Sequence, residues 1–189
     1  LQRSIHIERV LPYHPDLVWK AVTDPRALGA WFMENDFEPR LGHEFRFRMK
    51  PQRGWDGLTH CQVLELEPQH RVAFSYRGEA TGEKTLACAG IRNDTAASAA
   101  KGIFTRLDTV LSFTVTPERL CDGTEHTRLV LEHTGFRGFQ LVIVSFVMDF
   151  GWRRVLTRLP SVLEALALSR PLPPRPGAVS DSHRLPTSA

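Results

Sequence analysis

Trp152-Arg153-Arg154-Val155-Leu156-Thr157-Arg158-Leu159-Pro160-Ser161-Val162-Leu163-Glu164-Ala165-Leu166 sets Trp152, Val155, Leu156, Leu159, Leu163 and Leu166 at steps of three and four residues. That spacing lays one apolar stripe along an α-helix. The helical reading extends back as far as Phe139. Pro160 has no amide hydrogen to bond the carbonyl of Leu156, so a kink is expected there. Trp152 leads the stripe and is expected to be buried as the anchor of the helix.

Upstream of this helix the apolar period becomes alternating, as in strands. Phe45, Phe47 and Met49 alternate with Glu44, Arg46 and Arg48, and Pro51 to Gly57 follows as a turn-rich loop. Leu58 to Glu67 and Arg71 to Arg77 read as a hairpin around Pro68-Gln69-His70. Leu107 to Thr116 and Thr127 to Thr134 read as another pair, with Asp122-Gly123 at the turn. Near the start, Ile5 and Ile7 alternate with His6 and Glu8 in a half-buried strand that Pro12 and Pro15 end. Leu17, Val18, Ala21 and Val22 then follow at helical spacing from a start near Asp16. Asp24-Pro25 breaks that helix, and Ala27, Leu28, Trp31 and Phe32 suggest a second short one. The order is strand, two short helices, antiparallel strands and one long C-terminal helix. It describes an α+β helix-grip fold.

A chain of 189 residues fits one domain with a tail, or at most two small domains. The net charge of +3 is spread along the chain, which speaks against nucleic acid as a partner. Cys61, Cys88 and Cys121 are odd in number and lack CxxC spacing, so neither a disulfide framework nor a structural zinc site is expected. The longest apolar run, Leu141 to Met148, falls far short of the roughly 20 residues that cross a bilayer. Leu1 to Val10 alternates, unlike a secretory leader. The expected location is cytoplasmic, with no membrane span, no metal and no cofactor.

Two stretches stand apart. Gly78 to Thr105 has weak periodicity and reads as an insertion (78–105) with a short helix near Ala96 to Lys101, placed at one mouth of the fold. Its Gly78-Glu79-Ala80-Thr81-Gly82-Glu83-Lys84-Thr85 superficially resembles a phosphate-binding loop. Glu83 stands where that motif needs glycine, so a polar turn is the reading adopted. From Arg170 the Pro- and Ser-rich composition reads as a disordered tail, 170–189, which leaves 1–169 for the helix-grip domain.

Several segments resemble the activator of heat-shock protein 90 ATPase homologues. They are Pro15 to Pro25, Leu28-Gly29-Ala30-Trp31-Phe32, Val63 to Pro68, Gly123-Thr124, Leu129 to Phe136, and Gly151-Trp152 with Leu156, Leu159 and Leu163. The resemblance runs from about Ser4 to Leu168. Cys61 stands where the family usually has Gly, and the insertion is longer than usual. The resemblance implies a Bet v 1-like, START-related (SRPBCC) domain: an incomplete antiparallel sheet wrapped around the long helix with a cavity between them. Members bind apolar ligands, act as co-chaperone-like regulators or, in distant branches, catalyse hydrolyses and cyclisations.

The candidate cavity residues are Trp31, Phe32, Phe45, Phe47, His60, Phe74, Tyr76, Phe113, His133, Trp152 and Leu156, around a volume of roughly a few hundred Å³. Each ring is read either as core or as cavity wall. His133 shares the face of Leu129 and Leu131, and His60 is the other histidine that a strand can turn inward. For His133 the readings are a hydrogen-bonded core histidine or a group that orients a ligand. Cys61 is a small buried hydrophobe or a thiol facing the cavity. Arg46, Arg48, Lys50 and Arg53 form a row that meets solvent or an anionic partner. Glu65 and Glu67 alternate with Leu64 and Leu66 toward solvent, and no catalytic residue is assigned. The expected function is non-catalytic binding of a small hydrophobic molecule or regulation by one, stress- or chaperone-related. The alternatives are an enzyme of hydrolase or cyclase type on an apolar substrate, and a co-chaperone-like module with a protein partner.

Overall fold

Asp24 joins two helices through one side chain. It ends α1 (Pro15–Thr23), where its amide donates to the carbonyl of Lys20 at 2.8 Å, and it begins α2 (Pro25–Trp31). Its Oδ1 accepts from the amides of Arg26 and Ala27, each at 2.9 Å, so two donors at the start of α2 are satisfied at once. Pro25 follows at the first helical position, where its missing donor costs nothing. Trp31 closes the corner by donating its indole N–H to the carbonyl of Ala21 at 2.9 Å.

The computed structural model describes residues 1–51, 55–78, 107–121 and 123–174. The insertion after Gly78, with its phosphate-loop-like stretch and short helix, and the tail beyond 174 lie outside the described residues. The strands are β1 (Gln2–Leu11), β2 (Glu34–Asn35), β3 (Glu44–Arg48), β4 (Leu58–Glu67), β5 (Arg71–Gly78), β6 (Leu107–Arg119) and β7 (Glu125–Arg137). All neighbours pair antiparallel in the order β1-β7-β6-β5-β4-β3-β2. The α+β helix-grip arrangement is therefore observed, with the two short helices after the first strand as expected. β6 and β7 are each three residues longer at their C-terminal ends than the alternation indicated, and β2 was not legible because two residues carry no period.

Alternation sends Ile5, Ile7, Phe45, Phe47, Val63, Phe74, Leu111, Phe113, Leu129 and Leu131 to one buried face. In β4 the pairing with β5 shifts between Val63 and Glu65, so Leu64 is the extra residue of a bulge and is exposed. This corrects the expected alternation of Leu64 and Leu66 with Glu65 and Glu67: Leu64, next to inward Val63, lies outside, and the bulge keeps Glu65 outside as well and returns Leu66 to the core edge. Gly135 has φ +99°, and a Cβ there would come within 3.2 Å of the Thr109 Cα. The glycine lets β7 approach β6 beside Thr109.

The long helix begins at Phe139 and bends, as α3 (Phe139–Leu156) and α4 (Leu159–Ala167). At the junction the amides of Thr157 and Arg158 reach only three residues back, to Arg154 and Val155, and Pro160 then opens α4. The bend is the one expected from Pro160. α3 lies against β1 and β7, and α4 packs on α1 and α2. Trp152, Leu156, Leu159, Val162 and Leu163 are buried along one side.

Removing the shared cap should loosen the corner. Asp24→Ala is expected to cost about 1 kcal/mol, within the roughly 0.5–2 kcal/mol of capping losses. Asp24→Asn should recover most of it, as read by urea unfolding.

Candidate functional site

The inner face of the sheet carries a connected set of rings. Phe32 of the α2 C-cap lies 4.6 Å from Trp152 and 4.9 Å from Phe47, centroid to centroid. Phe47 continues to Phe45 at 5.3 Å, and Phe45 to Phe74 at 5.3 Å. Trp31 meets Phe113 edge-on at 6.0 Å, and Phe113 meets Trp152 in the same way at 6.5 Å. These edge-to-face contacts suit the ring quadrupoles. Of the sequence candidates, Trp31, Phe32, Phe45, Phe47, Phe74, Tyr76, Phe113, His133, Trp152 and Leu156 come together here, all buried.

His60 does not join them. Cys61 faces inward opposite Phe45, so the preceding His60 must face outward, opposite Arg46 and Arg77. Alternation allowed either orientation, and the register decided it. Cys61 is buried, and loss of solvation pushes its thiol pKa far up, so it stays protonated. Burial moves the Tyr76 phenol in the same direction.

His133 sits at the centre of the inner face with every polar atom engaged. The Trp152 indole Nε1–H donates to Nδ1 at 3.1 Å, so Nδ1 is the bare nitrogen. The proton is then on Nε2, which donates to the Thr109 hydroxyl at 2.8 Å. The Thr109 hydroxyl in turn donates a hydrogen bond to the carbonyl of Tyr76 at 2.9 Å. Burial pushes the His133 pKa down to about 3, so the ring is neutral at physiological pH. The core-histidine reading is the observed one, and this chain ties the sheet to the long helix. Thr109 was not singled out from the sequence. Its signal was a polar residue two positions before Leu111 on the inward side of a strand.

The outer face has a different chemistry. A cavity of about 540 Å³ opens there over β3, β4 and β5, lined by Asp36, Glu44, Arg46, His60, Gln62 and Arg77, with Phe45, Cys61 and Ser75 at its floor. Burial raises the Asp36 carboxyl, but the Arg46 backbone N–H and the charge of Arg48 hold it below the ordinary range. Arg46 and Arg48 of the basic row lie on this solvated face, while Arg53 lies outside the described residues. Toward β1, Arg71 bonds both Glu65 and Glu132. Among the described residues no group of three His, Cys, Asp or Glu side chains is placed to hold a metal, and no helix is long and apolar enough to cross a membrane.

The family model described as "Activator of Hsp90 ATPase homolog 1-like protein" matches residues 12–164, and the chain belongs to that family. Similar solved structures include protein MLL2253 from Mesorhizobium loti. It is 26% identical with a TM-score of 0.62, over 86% of this chain and 97% of that one. A protein from Arthrobacter aurescens gives 16% identity and a TM-score of 0.60 over 96% and 92% of the two chains. CalU16 from Micromonospora echinospora gives 23% and 0.54 over 89% and 80%. No curated protein matches the chain. Family and fold place it broadly with ligand-binding or regulatory domains.

The neutral burial of His133 has a consequence for acid stability. An unfolded histidine takes up its proton near pH 6.5, whereas the folded one does so only near 3. Between those values the unfolded chain holds more protons, so stability is full above about pH 6.5 and falls as the pH drops through the window. The slope from this group approaches about 1.4 kcal/mol per pH unit. His133→Gln, which does not titrate, is expected to lose stability less steeply from pH 6.5 to 4 than the wild type in parallel unfolding series. Equal slopes would mean that His133 is not the buried neutral group.

Proposed function

We propose that this member of the activator of Hsp90 ATPase homologue 1-like family is a non-catalytic domain that binds a small hydrophobic molecule between the inner sheet face and α3. One observation carries the reading: the three buried titratable groups amid the inner rings, Cys61, Tyr76 and His133, are locked in their neutral forms. His133 is neutral and hydrogen-bonded through both nitrogens, and the Cys61 and Tyr76 protons are held by burial. Acid–base catalysis needs a group that exchanges its proton near the working pH. A wall of rings around inert groups suits a ligand held by contact rather than one that reacts.

The rings touch one another in this structure, so the ligand would enter by displacing α3. Leu141, Met148 and Val155 of α3 are only partly buried against the core, a light hold for so long a helix. Any stress- or chaperone-related role and a cytoplasmic setting belong to this proposal through the family alone.

The test uses anilinonaphthalene sulfonate, whose emission rises in apolar sites, together with native mass spectrometry of the purified chain. Saturable binding of one dye per chain is expected. Met148→Glu, on the side of α3 that meets the core, should weaken it roughly tenfold or more, a loss of about 1.4 kcal/mol per factor of ten. Phe146→Glu, on the opposite side, should leave it unchanged. Non-saturating dye binding, or binding indifferent to Met148→Glu, would remove the proposal.

A further inference from the structure

Phe139, Ile143, Phe146, Val147 and Phe150 recur at helical steps along α3, and each is between 51% and 72% exposed. They lie on the side opposite Ser145, Trp152 and Leu156, the buried residues of the same helix. A helix that is apolar on both sides belongs in an interior, yet among the described residues nothing covers this side. A ring buries about 150–250 Å², so three rings exposed by more than half, with Ile143 and Val147, present roughly 600–700 Å² of apolar surface. The largest patch on an ordinary monomer reaches about 300–600 Å².

We infer that this face of α3 is the interface of a two-fold homodimer, independently of what the inner face binds. The area fits: two such faces meeting would bury about 1,200–1,400 Å², inside the range of about 1,200–2,000 Å² for stable pairs. The charge pattern fits as well. Gly138 to Met148 contains no charged side chain, so two copies meet without like-charge repulsion and a partner of opposite charge finds nothing to pair with. The first charge, Asp149, is already held by Arg3 at 2.7 Å and by Arg153 at 2.8 Å. A bilayer surface would favour a row of free cations along the stripe, whereas Arg3 and Arg153 are engaged by Asp149 and only Arg137 and Arg154, beyond its two ends, lack an ion pair among the described residues.

The geometry is self-complementary. Phe139, Ile143 and Val147 form one row at four-residue steps, and Phe146 with Phe150 forms a second. Rows of this kind interdigitate when two helices cross at about 50°. A two-fold axis near Phe146 places both Phe146 rings at the crossing and lets Arg137 and Arg154 diverge into solvent, with Arg153 still on Asp149. The Phe146 ring is already positioned for this, because the Arg3 guanidinium carbon sits 4.0 Å above it and holds it from one side.

Sedimentation equilibrium of the full chain, with and without vesicles of mixed neutral and anionic lipid, tests the inference. The expected mass is twice 21.4 kDa, and Phe146→Glu, which alters an exposed side chain, should return it to one chain with an unchanged circular dichroism spectrum. Should that variant not fold, Phe146→Cys with Cys88 and Cys121 replaced by Ser provides a second route. It should form a disulfide-linked dimer under mild oxidation, whereas Glu67→Cys in the same background should not. A single-chain mass at every concentration, a dimer indifferent to Phe146→Glu, or a single chain that floats with vesicles would each overturn the inference. Dye binding in Phe146→Glu is read separately, so either proposal can fail alone.

Discussion

The hydrogen bond from Trp152 to His133 is the constraint on which the rest of this structure turns. It is the buried polar link between the long helix and the sheet, and its energetic weight comes from what its loss would leave behind. A bare ring nitrogen in a ring-lined interior costs about 1–3 kcal/mol beyond the bond itself. The helix therefore has one rotation and one height at which the indole reaches Nδ1. Phe32 lies tilted against Trp152 and Phe113 meets it edge-on, so the short helices and the middle of the sheet take their places around the same ring. Gly135 belongs to this constraint, because it brings Thr109 near enough to accept from Nε2.

Away from that link, α3 is held by different means. Arg3 of β1 donates to Ser145 and Asp149, which fastens the middle of α3 to the edge strand. Burial raises the Asp149 carboxyl, but the bonds from Arg3 and Arg153 hold it below its ordinary pKa. The helix is thus pinned by polar contacts at its middle and by a buried indole near its end. The turns before Ser145 contribute little burial. Such a distribution leaves the beginning of α3 the least costly part of the cover to lift, because local opening follows the density of apolar contact.

The two faces of the sheet divide the chemistry. The inner face is apolar, and burial keeps its central histidine, His133, neutral at physiological pH. The outer face carries paired charges and a polar cavity whose floor is the back of the same strands. A single residue step on β4, from Cys61 to His60, crosses from one regime to the other. The bulge at Leu64 shows how local that division is: one inserted residue keeps Glu65 on the outer face, where Arg71 bonds it, and turns Leu66 toward the core.

Much of this was legible in the chain itself. Alternation in Phe45 to Arg48 and Leu129 to His133, the break at Asp24-Pro25 and the three- and four-residue steps from Trp152 to Leu166 determine which residues form strands and helices and which sides are apolar. Periodicity is a local property and sequence displays it directly. The burial of Trp152 and of the inner rings follows from the same signal. What the tertiary structure alone decided is how those sides meet. Only strand register sends His60 outward and Cys61 inward. Only the approach of β6 to β7 pairs Thr109 with His133, and only the docking of α3 on β1 and β7 leaves Phe139, Ile143, Phe146, Val147 and Phe150 uncovered. These depend on contacts between residues far apart in the chain, whose partners no local pattern names.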